Sequence, residues 1–262
     1  MNQAVIEIRR PQYDFTDLPK YFFANNPLLS ALFAALSLTF PEGERLFVHS
    51  VRSVRDQVSD PVLKQQIAGF IGQEAMHSQA HTRFNAQLAA LGLNTAPIIK
   101  EEQQAAIWSK RYLSTKQQLA ITCGLEHFTA ILAKYILEHP QLYQQIDIHA
   151  RQLWLWHALE ETEHKAVAFD VYQTVFADQL TRRLVMGLIS MTFITRMSFL
   201  TARLLWQDPN GRLKLIQHAK ALGVLISIVK DLLPEYLAYY DAKFHPNQID
   251  TDALTSLWRQ KL

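Results

Sequence analysis

The chain has 262 residues, 49% of them hydrophobic and 19% charged, with a net charge near +2. That fits one large globular domain, residues 1–262, and excludes a disordered chain. No Lys/Arg block argues for a nucleic-acid partner, and the single cysteine, Cys123, excludes a disulfide framework and speaks against a cysteine-based zinc site.

The opening "MNQAVIEIRRPQYDF" lacks the apolar core of a signal peptide, so the expected location is the cytoplasm. Glycine is scarce, and long Ala/Leu/Gln/Glu-rich stretches repeat their apolar residues near every 3.6 positions, so the fold is read as all-α. A first helix starts at Asn26-Pro27. Pro41 either kinks it or starts a new helix through "TFPE", which has the form of a capping box, and the helical run extends to about Val58. "SDP" (Ser59 to Pro61) stops it and caps a second long helix to about Leu91. Residues 92–113 form a connection with a short helix of its own, followed by a helix from about Ser114 to Glu138. "EHPQLY" turns the chain into one long helix from about Leu142 to Phe176. A helical bundle would thus occupy about 41–177, and an apolar helical extension about 179–242. That extension includes "LVMGLISMTFIT", which runs on through Arg196. An arginine at bilayer depth is costly, so buried or surface-docked helices are favoured over a true membrane span.

Glu-x-x-His puts both side chains on one helix face, one turn apart. It occurs twice, as Glu74-Ala-Met-His77 and Glu161-Thr-Glu-His164. Glu44 lies 16 residues before Asp60 and Glu74 lies 14 after it, so each sits roughly 22 Å from the turn in an antiparallel pair. Glu126 and Glu161 lie on either side of "EHPQLY". The chain therefore reads as two copies of one unit, helix with Glu, turn, helix with Glu-x-x-His. That is the ligand set of a ferritin-like four-helix bundle with a dinuclear carboxylate site, here with additional N- and C-terminal helices. Four carboxylates neutralise and bridge two divalent ions, and the imidazoles add nitrogen donors suited to iron, manganese or a mixed pair. Without metal, four buried glutamates would repel one another and raise their pKa values.

His157 precedes Glu161 by four residues on the same face. The pattern His157-x-x-x-Glu161-x-x-His164 resembles the p-aminobenzoate N-oxygenase family, and the resemblance implies a seven-ligand di-iron site of Glu44, Glu74, His77, Glu126, His157, Glu161 and His164. A broader likeness rests on "IRRPQYDF", "LSLTFPEGERLFVHSVR", "IGQEAMHSQAH", "ALEETEHKAVAFDVY" and "AKFHPNQ". These segments are similar to the bacterial family of predicted metal-dependent hydrolases.

The expected activity is that of a di-iron, dioxygen-activating oxidoreductase acting on an apolar small molecule and fed by an electron donor. A two-metal hydrolase is the first alternative and a non-catalytic iron-binding ferritin relative the second. Peripheral membrane contact through the C-terminal helices and a homodimer are left open. His81, one turn after His77, is expected as a partner of a ligand, with ligand and proton carrier as alternatives. Asp170 is either an orienting partner of a ligand histidine or an ordinary surface residue. Glu160 and Glu163 are expected to face outward or to be paired. Gly72 and Gly124 leave room for oxygen or substrate, or allow close helix packing.

Overall fold

The computed structural model describes residues 6–262 and is all-α, with no strand among those residues. Helix α1 (Pro27–Arg52) starts where Asn26 accepts the N–H groups of Leu28 and Leu29, with Pro27 in the first turn. It runs unbroken through Pro41, so "TFPE" is helix interior and Thr39 donates back to the Leu36 carbonyl instead of capping. An interior proline costs about 3 kcal/mol. Burial of Leu36, Leu38, Leu46 and Phe47 on either side of it offsets that cost. The helix ends at Arg52, short of the expected Val58, and a 3₁₀ turn at Arg55–Gln57 fills the difference. Asp60 and Pro61 open α2 (Pro61–Ala90), as the sequence indicates.

The connection contains a longer helix than expected, α3 (Ala96–Tyr112). Ser114 and Gln117 form a reciprocal capping box for α4 (Thr115–Glu138). The long helix expected over 142–176 is in fact broken. It divides into a single turn, α5 (Pro140–Tyr143), then α6 (Ile148–His164) capped by Asp147, and α7 (Val167–Val175). The second break follows His164 directly, where Lys165 turns its ammonium to Thr251 Oγ1 (2.6 Å) and the Ile249 carbonyl. Neither glycine nor proline marks this point. Two long apolar helices, α8 (Gln179–Trp206) and α9 (Leu215–Ala238), and the short α10 (Asp252–Arg259) complete the chain.

The antiparallel pair α1/α2 packs on the pair α4/α6, through α1–α4 and α2–α6 contacts, to make a four-helix bundle. Helices α8 and α9 cover its α1–α4 side. Residues 6–9 cross the other side as a strap. A Cβ at Gly72 would lie 2.2 Å from Ile8 Cδ1, and one at Gly124 would lie 2.3 Å from Ile189 Cδ1. Both glycines therefore serve close packing, against the strap and α8 respectively. Gly69 is less forgiving, because a Cβ there would meet Ile6 Cβ at 2.5 Å and the Ile6 carbonyl oxygen at 2.9 Å, neither of them the end of a flexible side chain. We expect Gly69→Ala to lower unfolding stability by about 1–2 kcal/mol in urea titration, since overpacking outweighs the gain in helix propensity. Unchanged or increased stability would show that the strap is not held against α2.

Candidate metal centre

Each of the four bundle helices turns acidic or imidazole side chains inward at one level. Helix α1 contributes Glu44, α2 contributes Glu74 and His77, α4 contributes Glu126, and α6 contributes His157, Glu161 and His164. All seven are buried, none more than 4% exposed. Two groups stand out, Glu44 with His77 and His157, and Glu74 with Glu161 and His164. Within each group the donor atoms lie within 4.8 Å of one another. Glu161 Oε1 joins them, at 3.6 Å from His77 Nδ1, 3.0 Å from His157 Nε2 and 3.5 Å from His164 Nε2. Glu74 Oε1 is 3.1 Å from His164 Nε2 and 3.8 Å from His77 Nδ1. Glu126 Oε2 approaches His164 Nε2 to 3.4 Å, and Glu44 Oε1 lies 4.0 Å from His157 Nε2.

The outward nitrogen of each imidazole is tied down, which fixes what the inward one offers. His77 Nε2 donates to Glu160 Oε2 at 3.0 Å. His164 Nδ1 donates to Gln73 Oε1 at 2.8 Å, because the Gln73 amide nitrogen is already committed to Glu163 and to the Glu7 carbonyl. Ser37 Oγ donates to Asn85 Oδ1, so it accepts from His81 Nδ1. His81 Nε2 then accepts from His157 Nδ1 at 2.8 Å. His77 Nδ1, His157 Nε2 and His164 Nε2 are therefore the nitrogens turned toward the carboxylates. The rings are clamped edge-on by Trp156 at His77, Phe40 at His157 and Phe70 at His164.

Electrostatically the cluster is unfavourable on its own. Burial, followed by repulsion from the neighbouring glutamates, raises Glu44 and Glu126 well above the usual carboxylate range. Burial lifts Glu74 to about 6 even though His164 pulls the other way. Against burial, His164 and His157 hold Glu161 low, and against burial Glu161 and Glu126 hold the His164 proton. Burial and His157 push His77 well down. Protons on Glu44, Glu126 and His164 thus stand in for missing positive charge. Both oxygens of Glu44, Glu74 and Glu126, together with Glu161 Oε2, His77 Nδ1 and His164 Nε2, are buried without a hydrogen-bond partner. Each such atom ordinarily costs about 1–3 kcal/mol. Divalent cations would answer all of them, and an oxygen-rich set with three imidazoles suits iron, manganese or zinc. The residues present therefore fit a pair of metal ions.

The structure brings together all seven candidates and puts His81 behind His157. It moves others. Asp170 bonds His245 Nε2 at 2.7 Å and orients none of the three cluster histidines. Glu160 and Glu163 are paired but do not face out, and both side chains are 0% exposed. Arg9 covers them, reaching Glu160 Oε1 at 3.2 Å and both oxygens of Glu163 at 2.8 and 2.9 Å, while Arg259 donates to Glu163 from the C-terminus. Burial still lifts Glu160 to about 7 in the face of Arg9. Sequence reasoning missed Arg9, Gln73, Ser37 and Asn85. Arg9 lies in "IRRPQYDF" and Gln73 adjoins Glu74, but neither has a spacing that marks it.

The model of a family described as predicted metal-dependent hydrolase matches residues 7–250. The chain belongs to that family. Every candidate ligand lies within the matched span, as do Arg9 and the residues behind the histidines. No curated protein and no solved structure matches the chain. Membership of this family supports metal dependence and favours hydrolysis over the oxygenase chemistry expected from the ligand pattern.

Metal must displace the protons that the buried glutamates hold, so metal binding and pH are linked. Glutamates with raised pKa values bind more protons folded than unfolded. Their contribution to metal-free stability therefore falls as pH rises through about 6 and above. The gain in Tm on adding Mn(II) is expected to grow between about pH 5 and 7.5. A gain independent of pH, measured by scanning fluorimetry, would contradict this linkage.

Proposed function

We propose that the cluster is a dinuclear metal centre and that the chain is a metal-dependent enzyme, with hydrolysis as its reaction. The observation that carries this reading is the pair of donor groups joined by Glu161 and Glu74, with most of their inward atoms unpartnered. Two ions held by Glu44, Glu74, His77, Glu126, His157, Glu161 and His164 would supply Lewis acidity and a water of lowered pKa. The protein's part is to hold the donors. Glu160, Gln73 and His81 lock the three imidazoles, and Glu161 lies between the two groups. Glu44 and Glu126 have both oxygens free of hydrogen bonds, so both are open to hold an ion. Arg9 is committed to Glu160 and Glu163, so it offers no free clamp for a phosphate. That favours an uncharged ester or amide as substrate.

Oxygen-dependent oxidation of an apolar small molecule, with an external electron donor, is the second reading. It is favoured by the specific donor set of four carboxylates and three imidazoles, enclosed by aromatic rings. One assay separates the two readings. Protein loaded with Zn(II), Mn(II) or Fe(II) is given neutral acyl esters under strict exclusion of oxygen. Hydrolysis that falls by orders of magnitude in Glu161→Gln is the expected result. Absence of hydrolysis, with oxygen uptake by the Fe(II) form, would overturn it in favour of oxidation.

A further inference from the structure

Helices α8 and α9 carry apolar residues on their outer as well as their inner sides. On α8 the inner side (Met186, Ile189, Met197, Leu200, Leu204) packs on the bundle. Leu180, Leu184, Leu188, Met191, Phe199 and Trp206 follow the helical period on the exposed side. On α9, Leu215, Leu222, Ile226, Val229, Leu233 and Leu237 do the same. Both helices pack on α1 and α4, so the two stripes lie on one side of the bundle. Where they meet, at the turn between the helices, Trp206, Leu213, Leu215 and Ile216 are 72–76% exposed. Helix α8 is long and apolar enough to cross a bilayer by length and composition. Its packed inner side, and the pairing of Arg196 and Arg203 with Glu101 and Glu102 of α3, make it a docked helix instead.

The charge on this face identifies what covers it. Residues 179–238 contain eight Lys and Arg, of which Arg182 is buried and Arg196 and Arg203 are paired with α3, and three carboxylates, of which Glu235 pairs with Lys134 and Asp231 accepts from Tyr135. Asp208 is already bound by Lys20 and Tyr21. Arg212, Lys214, Lys220 and Lys230 make no ion pair among the described residues. The Arg212 guanidinium lies 5.0 Å over the Trp206 ring, beside the apolar tip. A second copy of this chain would set the same unpaired cations against each other. A layer of anionic headgroups over acyl chains complements both features, the apolar stripes and the cations that flank them.

We propose that the α8–α9 face docks peripherally on an anionic membrane surface, with Trp206, Leu213, Leu215 and Ile216 inserted at the headgroup boundary and Arg212, Lys214, Lys220 and Lys230 on lipid phosphates. The full-length, metal-loaded protein is sedimented with vesicles of phosphatidylcholine alone and of phosphatidylcholine with phosphatidylglycerol, at low and high ionic strength. The expected result is binding to the anionic vesicles that weakens with salt. The double variant Lys220→Gln/Lys230→Gln should lower the partition coefficient on the order of twentyfold, at about fivefold per cation. Ile216→Glu should abolish binding while helix content and metal content stay unchanged. Absence of binding, or equal binding to both vesicle types, overturns the proposal. So does an Ile216→Glu variant that turns a dimer into a monomer on a sizing column and leaves vesicle binding intact, which would assign the face to a second copy.

Discussion

Four carboxylates confined in a space closed to water are the constraint on which the rest of this structure depends. Glu44, Glu74, Glu126 and Glu161 cannot all be ionised there unless positive charge is supplied. The metal-free protein meets that demand partly with protons, held on Glu44, Glu126 and His164 against the preference of water-exposed groups. It does not meet it with hydrogen bonds, since most of the inward atoms have none. A fold that buries so many unpaired polar atoms is a poor design for stability alone. It makes physical sense as a preformed cavity for two cations, and membership of a metal-dependent family is consistent with that sense.

The rest of the bundle keeps the donors where repulsion would drive them apart. Three hydrogen-bond chains do this, two of them joined through Arg9. Arg9 and Arg259 neutralise Glu163, which with Gln73 holds His164. Arg9 also steadies Glu160, which holds His77. On the far side Asn85, Ser37 and His81 pass one hydrogen-bond direction along to His157. The two arginines come from opposite ends of the chain. The N-terminal strap and the C-terminal helix therefore both supply charge to carboxylates that lie behind the histidines of the site. Gly69 and Gly72 matter for the same reason, because they let the strap lie close enough for Arg9 to reach.

What could be read in the sequence was what local geometry dictates. Glu-x-x-His fixes two side chains on one face of a helix, and the Ser59-Asp60-Pro61 stop sets Glu44 level with Glu74, so six donors could be placed before any packing was known, while His157 joined them through the resemblance to the p-aminobenzoate N-oxygenase family. The boundaries of α2 and α4 followed from their caps for the same reason. Pro41 was ambiguous because its penalty is local while the burial that overrides it is tertiary. The break after His164 had no breaker residue, being tied to Lys165 and its distant partners Ile249 and Thr251. Glu160 and Glu163 looked like a solvent face because their cover, Arg9, lies about 150 residues away in sequence. Asp170 had no spacing that singled out a partner, and its partner, His245, lies 75 residues away in sequence.

The account rests on the seven donors binding metal together, and anaerobic titration of the apoprotein with Fe(II) or Mn(II), with bound metal counted by elemental analysis, tests that most directly. Saturation near two ions per chain, with Glu161→Gln folded but unable to retain the pair, is the predicted result. A chain that binds no metal, or a Glu161→Gln variant that retains both ions at unchanged affinity, would contradict it.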